Sequence, residues 1–429
     1  MKRYARYKPS GIAWLGALPA HWEVKRIKYI VSCNDDVLSE NTPEDTFIEY
    51  VEISDVDEVS GIKATQLLRF KEAPSRARRL VRNADILVST VRTYLRAIAV
   101  VIEPPENLVV STGFAVLRPQ TVHQAFARYA IAYDGFVQEV IVKSKGVSYP
   151  AINPTELVCI EVPLPPSIEQ HAIADYLDIE TARIDKLIRE KEGLIGLLRE
   201  YRQSLIAEAV LKGLNPDVSF KPSGVPWLGE VPEHWEVKRV KFLAQLMGRK
   251  TDEVAASVRY VGLEHVEAGT GEFVADTGGM QTEAESTVNM FEAGCVLFGK
   301  LRPYLAKAVV TDTDGVCSSE FLVLRPTDMS AGYLKRCLLL DSVITTVNAS
   351  TFGAKMPRAD WTFISQLYLP QPPVAEQQAI ADYLDAEAVR IDELVTHTHA
   401  EINLLKELRT ATIADAVLGR VDIRTQIRP

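Results

Sequence analysis

Few residues of this chain have the type and spacing that catalysis requires. Glu23 and Lys25, and again Glu236 and Lys238, match the Glu-x-Lys half of a metal-dependent nuclease motif. That chemistry also needs an acidic metal ligand on a neighbouring strand, and neither copy has a convincing one upstream. The alternation of polar and apolar residues favours the solvated face of a strand instead.

Other signatures of catalysis are missing from the sequence. It contains no GxxxxGK[ST] phosphate loop, no GxSxG nucleophile elbow and no HExxH zinc motif. His397 and His399 are two residues apart in a helical pattern, so their side chains point to different faces and make a poor metal pair. We therefore predict a chain that is not an enzyme and binds no cofactor or metal of its own.

Arginine is concentrated in one stretch of the first half of the chain. The residues are Arg76, Arg78, Arg79, Arg82, Arg92, Tyr94 and Arg96. The guanidinium group suits phosphate contacts and bidentate contacts to guanine, so this stretch is a candidate for DNA binding. A solvated charged turn is the alternative interpretation.

The second half of the chain repeats only part of that stretch. Arg302 and Tyr304 match Arg92 and Tyr94, and Lys300 precedes them, whereas Glu283 and Glu285 lie near the stretch that corresponds to the arginine run. A shared Arg–Tyr pair predicts contacts that position the DNA backbone, and unshared residues predict sequence readout.

Two polar loops, residues 143–149 and 348–355, precede the long helical segments described below. Their candidate DNA-binding residues are Lys143, Lys145, Tyr149, Thr351 and Lys355. Small residues, lysines and one aromatic ring allow close approach to a duplex. A plain connecting loop is an equally good interpretation.

The elements that must position these residues occur twice. Residues 7–30 align without a gap on residues 220–243, and residues 165–213 align on residues 372–420. The regions between these flanks have diverged, which indicates one shared structural frame that carries two different recognition surfaces. The tryptophans of the first repeat are predicted to be core residues: Trp14, Trp22, Trp227 and Trp235.

The diverged regions have the pattern of a mixed α+β fold. Predicted strands cover residues 47–53, 85–91, 97–102 and 114–117, then 259–263, 295–298, 308–311 and 321–324. Helical patterns cover residues 124–143 and 331–348. We predict that both regions share one fold and differ in surface.

Residues 167–212 and their repeat are predicted to form long helices with apolar residues at heptad spacing. One row contains Leu177, Ile184, Leu198 and Leu205, and Leu384, Ile391 and Leu405 in the repeat. The neighbouring row contains Ile173, Leu187 and Leu194, and Ile380, Leu394 and Leu408. Ser167 to Gln170 has the pattern of a capping box. Because one long helix cannot bury its stripe alone, we predict an antiparallel pair; packing of each helix on its own domain is the alternative.

Composition limits the class of protein. The net charge is −9, of which the two helical segments and the residues that follow them carry −7, so the diverged regions are nearly neutral. Five scattered cysteines without a CxxC pair are typical of a reduced, cytoplasmic protein. No apolar run reaches the length of a membrane helix, so we expect no membrane association.

The doubled PSGIxWLGxxPxHWEVKRxK lead and the doubled EQxAIADYLD helix start resemble the specificity subunits of type I restriction–modification enzymes. The resemblance implies two target recognition domains, 1–163 and 214–370, separated by the helical spacers 164–213 and 371–420, with a tail at 421–429. The two helices would form an antiparallel coiled coil with a pseudo-two-fold axis.

The same resemblance implies function and partners. Each domain would read one half of a bipartite, asymmetric site in double-stranded DNA. The chain would recruit two methyltransferase subunits that use S-adenosylmethionine, and restriction subunits that use ATP and Mg²⁺. Two alternatives stay open: a methyltransferase or nuclease with fused recognition domains, and a coiled-coil scaffold that binds only proteins.

Overall fold

The computed structural model describes residues 2–57, 61–252, 258–274, 287–353 and 355–425. Contacts between Cα atoms divide the chain into two compact units. Unit 1 contains residues 1–192 and 400–429, and unit 2 contains residues 193–399. Each of the two long helices therefore contributes one half to each unit, and the fold is mixed α and β.

Unit 1 is built from short strands. They are β1 (Tyr7–Pro9), β2 (Ala17–Pro19), β3 (Glu23–Arg26), β4 (Val31–Cys33), β5 (Phe47–Val51), β6 (Val56–Asp57), β7 (Gly61–Ile62), β8 (Gln66–Arg69), β9 (Ala77–Leu80), β10 (Ile86–Ser89), β11 (Ile98–Val100), β12 (Leu108–Ser111), β13 (Phe114–Pro119) and β14 (Glu161–Leu164). Two four-stranded sheets have the orders β11-β10-β13-β4 and β8-β5-β12-β9, in which β5 and β12 are parallel. Strand β3 pairs with β14, β1 with β2, and β6 with β7.

The helices of unit 1 follow the strands. They are α1 (Gln124–Ala132), α2 (Asp134–Lys143), α3 (Pro154–Leu157) and the first half of α4 (Ser167–Lys212), with 3-10 turns at Ile27–Tyr29, Ile53–Asp55, Phe70–Glu72, Thr93–Leu95 and Ile423–Thr425. The helical pattern over residues 124–143 forms two helices rather than one. Tyr133 adopts an extended conformation (φ −60°, ψ 135°) and separates two helices.

Unit 2 repeats this plan. Its strands are β15 (Phe220–Pro222), β16 (Glu230–Pro232), β17 (Glu236–Arg239), β18 (Ala244–Leu246), β19 (Lys250–Thr251), β20 (Tyr260–Val261), β21 (Val288–Phe291), β22 (Val296–Gly299), β23 (Ala308–Val310), β24 (Gly315–Cys317), β25 (Phe321–Pro326) and β26 (Tyr368–Gln371). The sheets are β18-β25-β22-β23 and β19-β21-β24-β20, with parallel β20 and β24, and the pairs β17-β26 and β15-β16.

The helices of unit 2 match those of unit 1. They are α5 (Val240–Leu243), α6 (Ala331–Leu338), α7 (Asp341–Ala349), α8 (Trp361–Ile364) and the first part of α9 (Val374–Val417), with 3-10 turns at Leu263–His265 and Pro303–Leu305. The helix predicted over residues 331–348 is again two helices. Leu340 has the same extended backbone as Tyr133. No helix in the described parts of the chain is long and apolar enough to cross a membrane.

The repeated lead packs into the core of each unit. Trp22 and Trp235 are fully buried, and Trp14 and Trp227 lie against the same cores, which confirms the structural interpretation of the four tryptophans. Burying a large aromatic side chain contributes more apolar area than most residues. The lead therefore anchors each unit and is not a recognition stripe.

The long helices begin without the predicted capping box. The backbone N–H groups of Glu169 and Gln170 donate to the carbonyl of Pro166. The Gln170 side chain donates to the carbonyl of Pro165 and accepts from the N–H of His123, so it joins the helix to α1. The first turn of α9 has the same bonds, because Gln377 donates to Pro372 and accepts from Ser330. The glutamine is thus a tertiary contact in both repeats.

Within each unit the two helix halves are antiparallel. In unit 1, Asp185 pairs with Arg409 at 2.8 Å and Lys191 pairs with Glu401 at 2.5 Å, so residue numbers rise on α4 as they fall on α9. In unit 2, Arg202 pairs with Asp392 at 2.8 Å. The polar residue Lys191, which interrupts the predicted apolar row, is therefore satisfied by a charge on the other helix.

The burial of the helix residues agrees with one predicted row and disagrees with the other. In the first row Leu177, Ile184, Leu384 and Ile391 are buried, and Leu198, Leu205 and Leu405 are half-buried. In the second row Ile173 and Ile380 are buried and Leu187 is half-buried, but Leu194, Leu394 and Leu408 are 40%, 46% and 48% exposed. The buried row beside the first instead contains Thr181, Ile195 and Ile402, one position further along each helix.

The first turns of the long helices also pack on the globular parts. Ile173 and Leu177 share a core cluster with Trp22, and Ile380 and Leu384 share one with Trp235. The alternative interpretation, in which each helix packs on its own domain, therefore describes these turns. In the segments that follow, the two helices contact each other through ion pairs.

Candidate nucleic-acid interface

A strained turn follows the central strand of one sheet in each unit. In unit 1, Arg92 (φ 49°) and Arg96 (φ 53°) flank the 3-10 turn Thr93–Leu95. In unit 2, Arg302 and Ala306 (both φ 48°) flank Pro303–Leu305. These are four of the seven non-glycine residues with positive φ in the described chain, and each costs roughly 1–2 kcal/mol. Strain that is kept in both repeats points to a functional segment.

Hydrogen bonds and the burial of its first residue hold each turn in place. The N–H of Arg92 donates to the Pro150 carbonyl at 2.7 Å, and the N–H of Arg302 donates to the Pro357 carbonyl at 2.8 Å. The buried Thr93 hydroxyl lies 2.9 Å from the Ser144 hydroxyl. The turn is therefore anchored to the polar loop that precedes the long helix.

The residues at the tip of the turn face solvent. Tyr94 and Leu95 are 50% and 53% exposed, and Tyr304 and Leu305 are 51% and 36% exposed. Sequence analysis identified the tyrosines but not the leucines. Their presence at the same place in both repeats is the signal that was available.

Each of the two polar loops forms a hairpin, and the two hairpins have the same bridging pattern. In unit 1, Lys145 forms a β-bridge with Ala151, which bridges in turn to Val91, just before the strained turn. In unit 2, Phe352 forms the same bridge with Arg358, which bridges in turn to Leu301. Gly146 (φ 108°) and Gly353 (φ 91°) occupy the equivalent left-handed position, where other residues are strained. The signal in the sequence is a glycine followed four residues later by a proline in both loops. Each unit thus presents one turn and one hairpin side by side.

The basic residues of the unit 1 site are only partly neutralised. Arg96 pairs with Asp134, Lys143 with Glu139 at 3.1 Å, and Lys145 with Glu156 at 3.0 Å. The ammonium group of Lys145 lowers the pKa of the Glu156 carboxyl from its usual value. Arg92 instead lies over the exposed ring of Tyr149, with 4.5 Å between guanidinium carbon and ring centroid. Arg92 and Tyr149 therefore form a flat, cationic and accessible pair.

The unit 2 site contains a basic residue that sequence analysis missed. Arg358 pairs with Glu320 at 2.9 Å, and this guanidinium lowers the pKa of the Glu320 carboxyl. The backbone carbonyl of Lys300 accepts a hydrogen bond from the N–H of Ala359. Lys355 is exposed at the hairpin tip. The Thr351 hydroxyl donates to the Asn348 carbonyl at 2.7 Å, so it closes the end of α7.

The arginines at residues 76–82, the arginine run of unit 1, belong to a different sheet from the strand that precedes the turn. They lie along and beside the edge strand β9, and most of their side chains have partners within the unit. Arg76 pairs with Glu52, Arg78 lies 4.8 Å above the Phe70 ring, and Arg82 pairs with Asp36 at 2.9 Å. Arg79 has a buried Nε that finds no partner among the described residues. The stretch of unit 2 that contains Glu283 and Glu285 lies outside the described residues.

Unit 2 has a cavity of about 570 Å³ beside its turn. Trp227, Leu340 and the inner sides of Tyr304 and Leu305 form part of its wall. In unit 1 the residue equivalent to Leu340 is Tyr133, whose ring lies 6.2 Å from that of Trp14. The two units therefore share a frame but differ in how it is filled.

The sequence features that suggested a nuclease have a structural explanation. The Lys25 ammonium pairs with Glu23 at 2.9 Å, and Lys238 pairs with Glu236 at 2.8 Å, on exposed strand faces. In the described ranges no group of three His, Cys, Asp or Glu side chains is placed to hold a metal ion. His397 and His399 flank the buried Thr398 and are both exposed.

Comparison with known proteins gives a consistent result. Residues 19–193 match the family model for the type I restriction modification DNA specificity domain. The chain is 23% identical over 315 residues to the EcoDI specificity subunit of Escherichia coli, which covers 68% of this chain and 69% of that protein. It is 27% identical over 256 residues to the putative MjaX specificity subunit of Methanocaldococcus jannaschii, covering 55% and 56%.

Two solved structures share the fold. One is a chain of a type I R-M system studied for its assembly and conformational transition (TM-score 0.73, 21% identity, 94% of this chain and 99% of that chain). The other is the HsdS subunit of Thermoanaerobacter tengcongensis (TM-score 0.55, 21% identity, 94% and 98%). The doubled motifs, the family model over residues 19–193, the curated relatives and the shared fold all make this chain similar to the specificity subunits of type I restriction–modification systems.

Proposed function

We propose that this chain is the DNA-recognition subunit of a type I restriction–modification system and reads a bipartite, asymmetric target in double-stranded DNA. Unit 1 reads one half-site and unit 2 the other. The observation that carries the proposal is the twin site: both units hold the same strained turn and hairpin, with different residues at the hairpin tips. A common frame with unlike tips suits two different half-sites.

The shared and unshared residues take different roles. Arg92 and Arg302 occupy equivalent places and are exposed, so they contact phosphates and set the register of each unit. Hairpin residues 148–149 and 355–356 differ in sequence, so they contribute to base readout. The arginine run on β9 adds phosphate contacts in the first half-site, weakened by its carboxylate partners.

The long helices set the distance between the half-sites. Helix α4 has 46 residues and α9 has 44, so each is about 65–70 Å long at ~1.5 Å per residue. An antiparallel coiled coil of the two helices would relate the units by a pseudo-two-fold axis. Removing one heptad from the middle of each helix would then shorten the preferred spacer or abolish binding, and an unchanged spacer would contradict this role.

The chain acts with partners and has no catalytic activity of its own. Two methyltransferase subunits supply S-adenosylmethionine chemistry, and restriction subunits supply the ATP- and Mg²⁺-dependent steps. The acidic helical segments, which carry most of the net charge, are suited to protein contacts rather than to DNA.

The experiment that tests the proposal is selection of a target from a random duplex pool by the chain in complex with its methyltransferase partner. We expect two unlike half-sites with a fixed gap. An Arg92→Ala, Arg302→Ala double variant should weaken binding to all sequences alike and reduce the salt slope by about one per lost phosphate contact. Exchange of residues 148–149 for 355–356 should change the preference in the first half-site only.

Three outcomes would contradict the proposal. A complex that assembles but shows no sequence preference and no salt dependence would identify a protein-binding scaffold. Methylation of DNA by the purified chain with S-adenosylmethionine alone would identify a fused enzyme. A hairpin exchange that leaves both half-sites unchanged would remove the hairpin from the readout.

A further inference from the structure

The tips of the twin turns combine exposure, apolar character and rigidity. Tyr94 and Leu95, and likewise Tyr304 and Leu305, project from a three-residue turn with a left-handed residue on either side. Exposed tyrosine–leucine pairs on a strained turn are costly to keep, because the strain and the exposure both reduce stability. The same cost is present in both units.

The turns are held so that their tips cannot collapse onto the protein. Thr93 and Pro303, the first residues of the two turns, are buried. Backbone bonds from Arg92 to Pro150 and from Arg302 to Pro357 fix one end of each turn. A rigid apolar tip loses little conformational entropy when it enters a binding site.

The surroundings of each tip suit a nucleic acid better than a protein. Arg92 stacked on Tyr149 lies at the base of the first turn, and Arg302 at the base of the second. Cations that contact phosphates beside a projecting apolar side chain are the features of proteins that insert a wedge between base pairs. Stacking on a base is tolerant of sequence, which fits a feature shared by two units that read different half-sites.

We propose that Tyr94–Leu95 and Tyr304–Leu305 are DNA-deforming wedges, each inserted at one base step of its half-site, where it partly unstacks the duplex. This inference rests on the proposed DNA-recognition function. The hairpin tips then read bases beside the deformed step. Each complex carries two deformations, one per half-site, and each depends on its own wedge.

The test uses the full chain with its methyltransferase partner and duplexes that carry the selected target, with 2-aminopurine placed at one position at a time. The wild-type complex should raise 2-aminopurine fluorescence at one step in each half-site. A Tyr94→Ala, Leu95→Ala variant should lose the signal in the first half-site and keep it in the second. A Tyr304→Ala, Leu305→Ala variant should show the reverse pattern.

The variants provide their own controls. Each pair should lower affinity for the target about tenfold or more, the range found when a stacked base contact is removed. Tyr94→Phe with Leu95→Met keeps an apolar wedge and should retain the signal. Tyr29→Ala and Phe242→Ala remove exposed aromatic rings elsewhere in units 1 and 2 and should bind as wild type.

Failure of the wedge and failure of DNA recognition give different results. Specific binding without any wedge-dependent 2-aminopurine signal, and with wild-type affinity of both alanine variants, would overturn the wedge alone. Loss of the methyltransferase from the complex in either variant, with DNA binding retained, would make the tips a protein-docking site and also overturn it. Absence of specific binding by the wild type would overturn the proposed function itself.

Discussion

The indole nitrogen of Trp22 donates a hydrogen bond of 2.9 Å to a carboxylate oxygen of Glu169, and Trp235 repeats this contact with Glu376 at 3.1 Å. The bond joins the lead of each unit to the first turn of a long helix. Glu169 is 5% exposed and also accepts from Tyr4 at 2.8 Å, with His21 at 2.7 Å. The two motifs that repeat in the sequence, the lead and the helix start, are thus the two sides of one buried contact.

Replacing the carboxylates of this buried contact should destabilise the two units unequally. Glu169→Ala leaves buried donors without an acceptor and should lower the free energy of unfolding of unit 1 by about 3 kcal/mol. Glu376 is more exposed and has fewer partners, so Glu376→Ala should cost about 1–2 kcal/mol. Urea unfolding followed by tryptophan fluorescence measures both, with Glu23→Ala on an exposed strand as control. Equal losses in the two variants would contradict the argument.

The glycine after α9 supports the same tryptophan and tolerates no side chain. Gly419 has φ 62°, and an added Cβ would lie 2.6 Å from Pro19 and 2.8 Å from the Trp22 ring. Gly419→Ala should therefore cost about 2–4 kcal/mol, from backbone strain and overpacking together. Gly11 has φ 79° but open space around it, so Gly11→Ala should cost only about 1 kcal/mol. Thermal unfolding of the two variants separates the contributions, and a similar loss in both would mean that the contact with Trp22 can relax.

The register of the helix pair predicts losses of unequal size at neighbouring residues. Ile195 is 5% exposed and Leu194 is 40% exposed. Ile195→Ala should lower the free energy of unfolding by about 2–4 kcal/mol, and Leu194→Ala by less than about 1 kcal/mol. In unit 1, Ile402→Ala and Leu408→Ala form the matching pair. Chemical denaturation decides the register: larger losses at the leucines would restore the row predicted from the sequence.

The end of the chain should loosen in acid. Asp422 accepts at its carboxylate from Arg424 at 2.7 Å and donates its N–H to the Lys2 carbonyl, so it ties the C-terminal segment to the start of the chain. Arg424 lowers the pKa of the Asp422 carboxyl below its usual value. A lowered folded-state pKa contributes stability above the unfolded pKa of about 4, which is lost as the pH falls through the folded value.

The Asp422→Asn variant isolates this contribution. It should be less stable than wild type at neutral pH, and the difference should vanish as the pH falls through the lowered folded-state pKa of Asp422, because the wild-type carboxyl is then protonated too. Stability measured by urea unfolding at a series of pH values tests this. A constant difference at all pH values would show that Asp422 acts through its packing and not through its charge.

The sequence alone was sufficient for the features that repeat. A gapless alignment at a fixed offset identified both leads, both long helices and the fold that they share. Eight of the strands and the helix at residues 167–212 were also predictable, because apolar periodicity reports which face of an element is buried. The turn motif of Arg92 and Tyr94 was found for the same reason.

Features that depend on contacts between distant residues were not predictable. Gln170 has the spacing of a capping residue, but its side chain donates to the Pro165 carbonyl and accepts from the N–H of His123, which is 47 residues away in the sequence. The second helical row was predicted to contain Leu194 and Leu408, because these residues keep the heptad spacing from Ile173 and Ile380. The structure buries Thr181 and Ile195 instead, because polar groups such as Thr181, which bonds to the Leu177 carbonyl, can lie in the seam when satisfied.

By itself, the sequence determined that there are two copies of one frame, where the long helices lie, and which family the chain resembles. Only the tertiary structure decided that each polar loop forms a hairpin, that each hairpin anchors a strained turn, and that the arginines at residues 76–82 lie on a different sheet. Periodicity is a local property and can be read from spacing. Which backbone groups satisfy each other across 58 residues, as Arg92 and Pro150 do, depends on the packed fold.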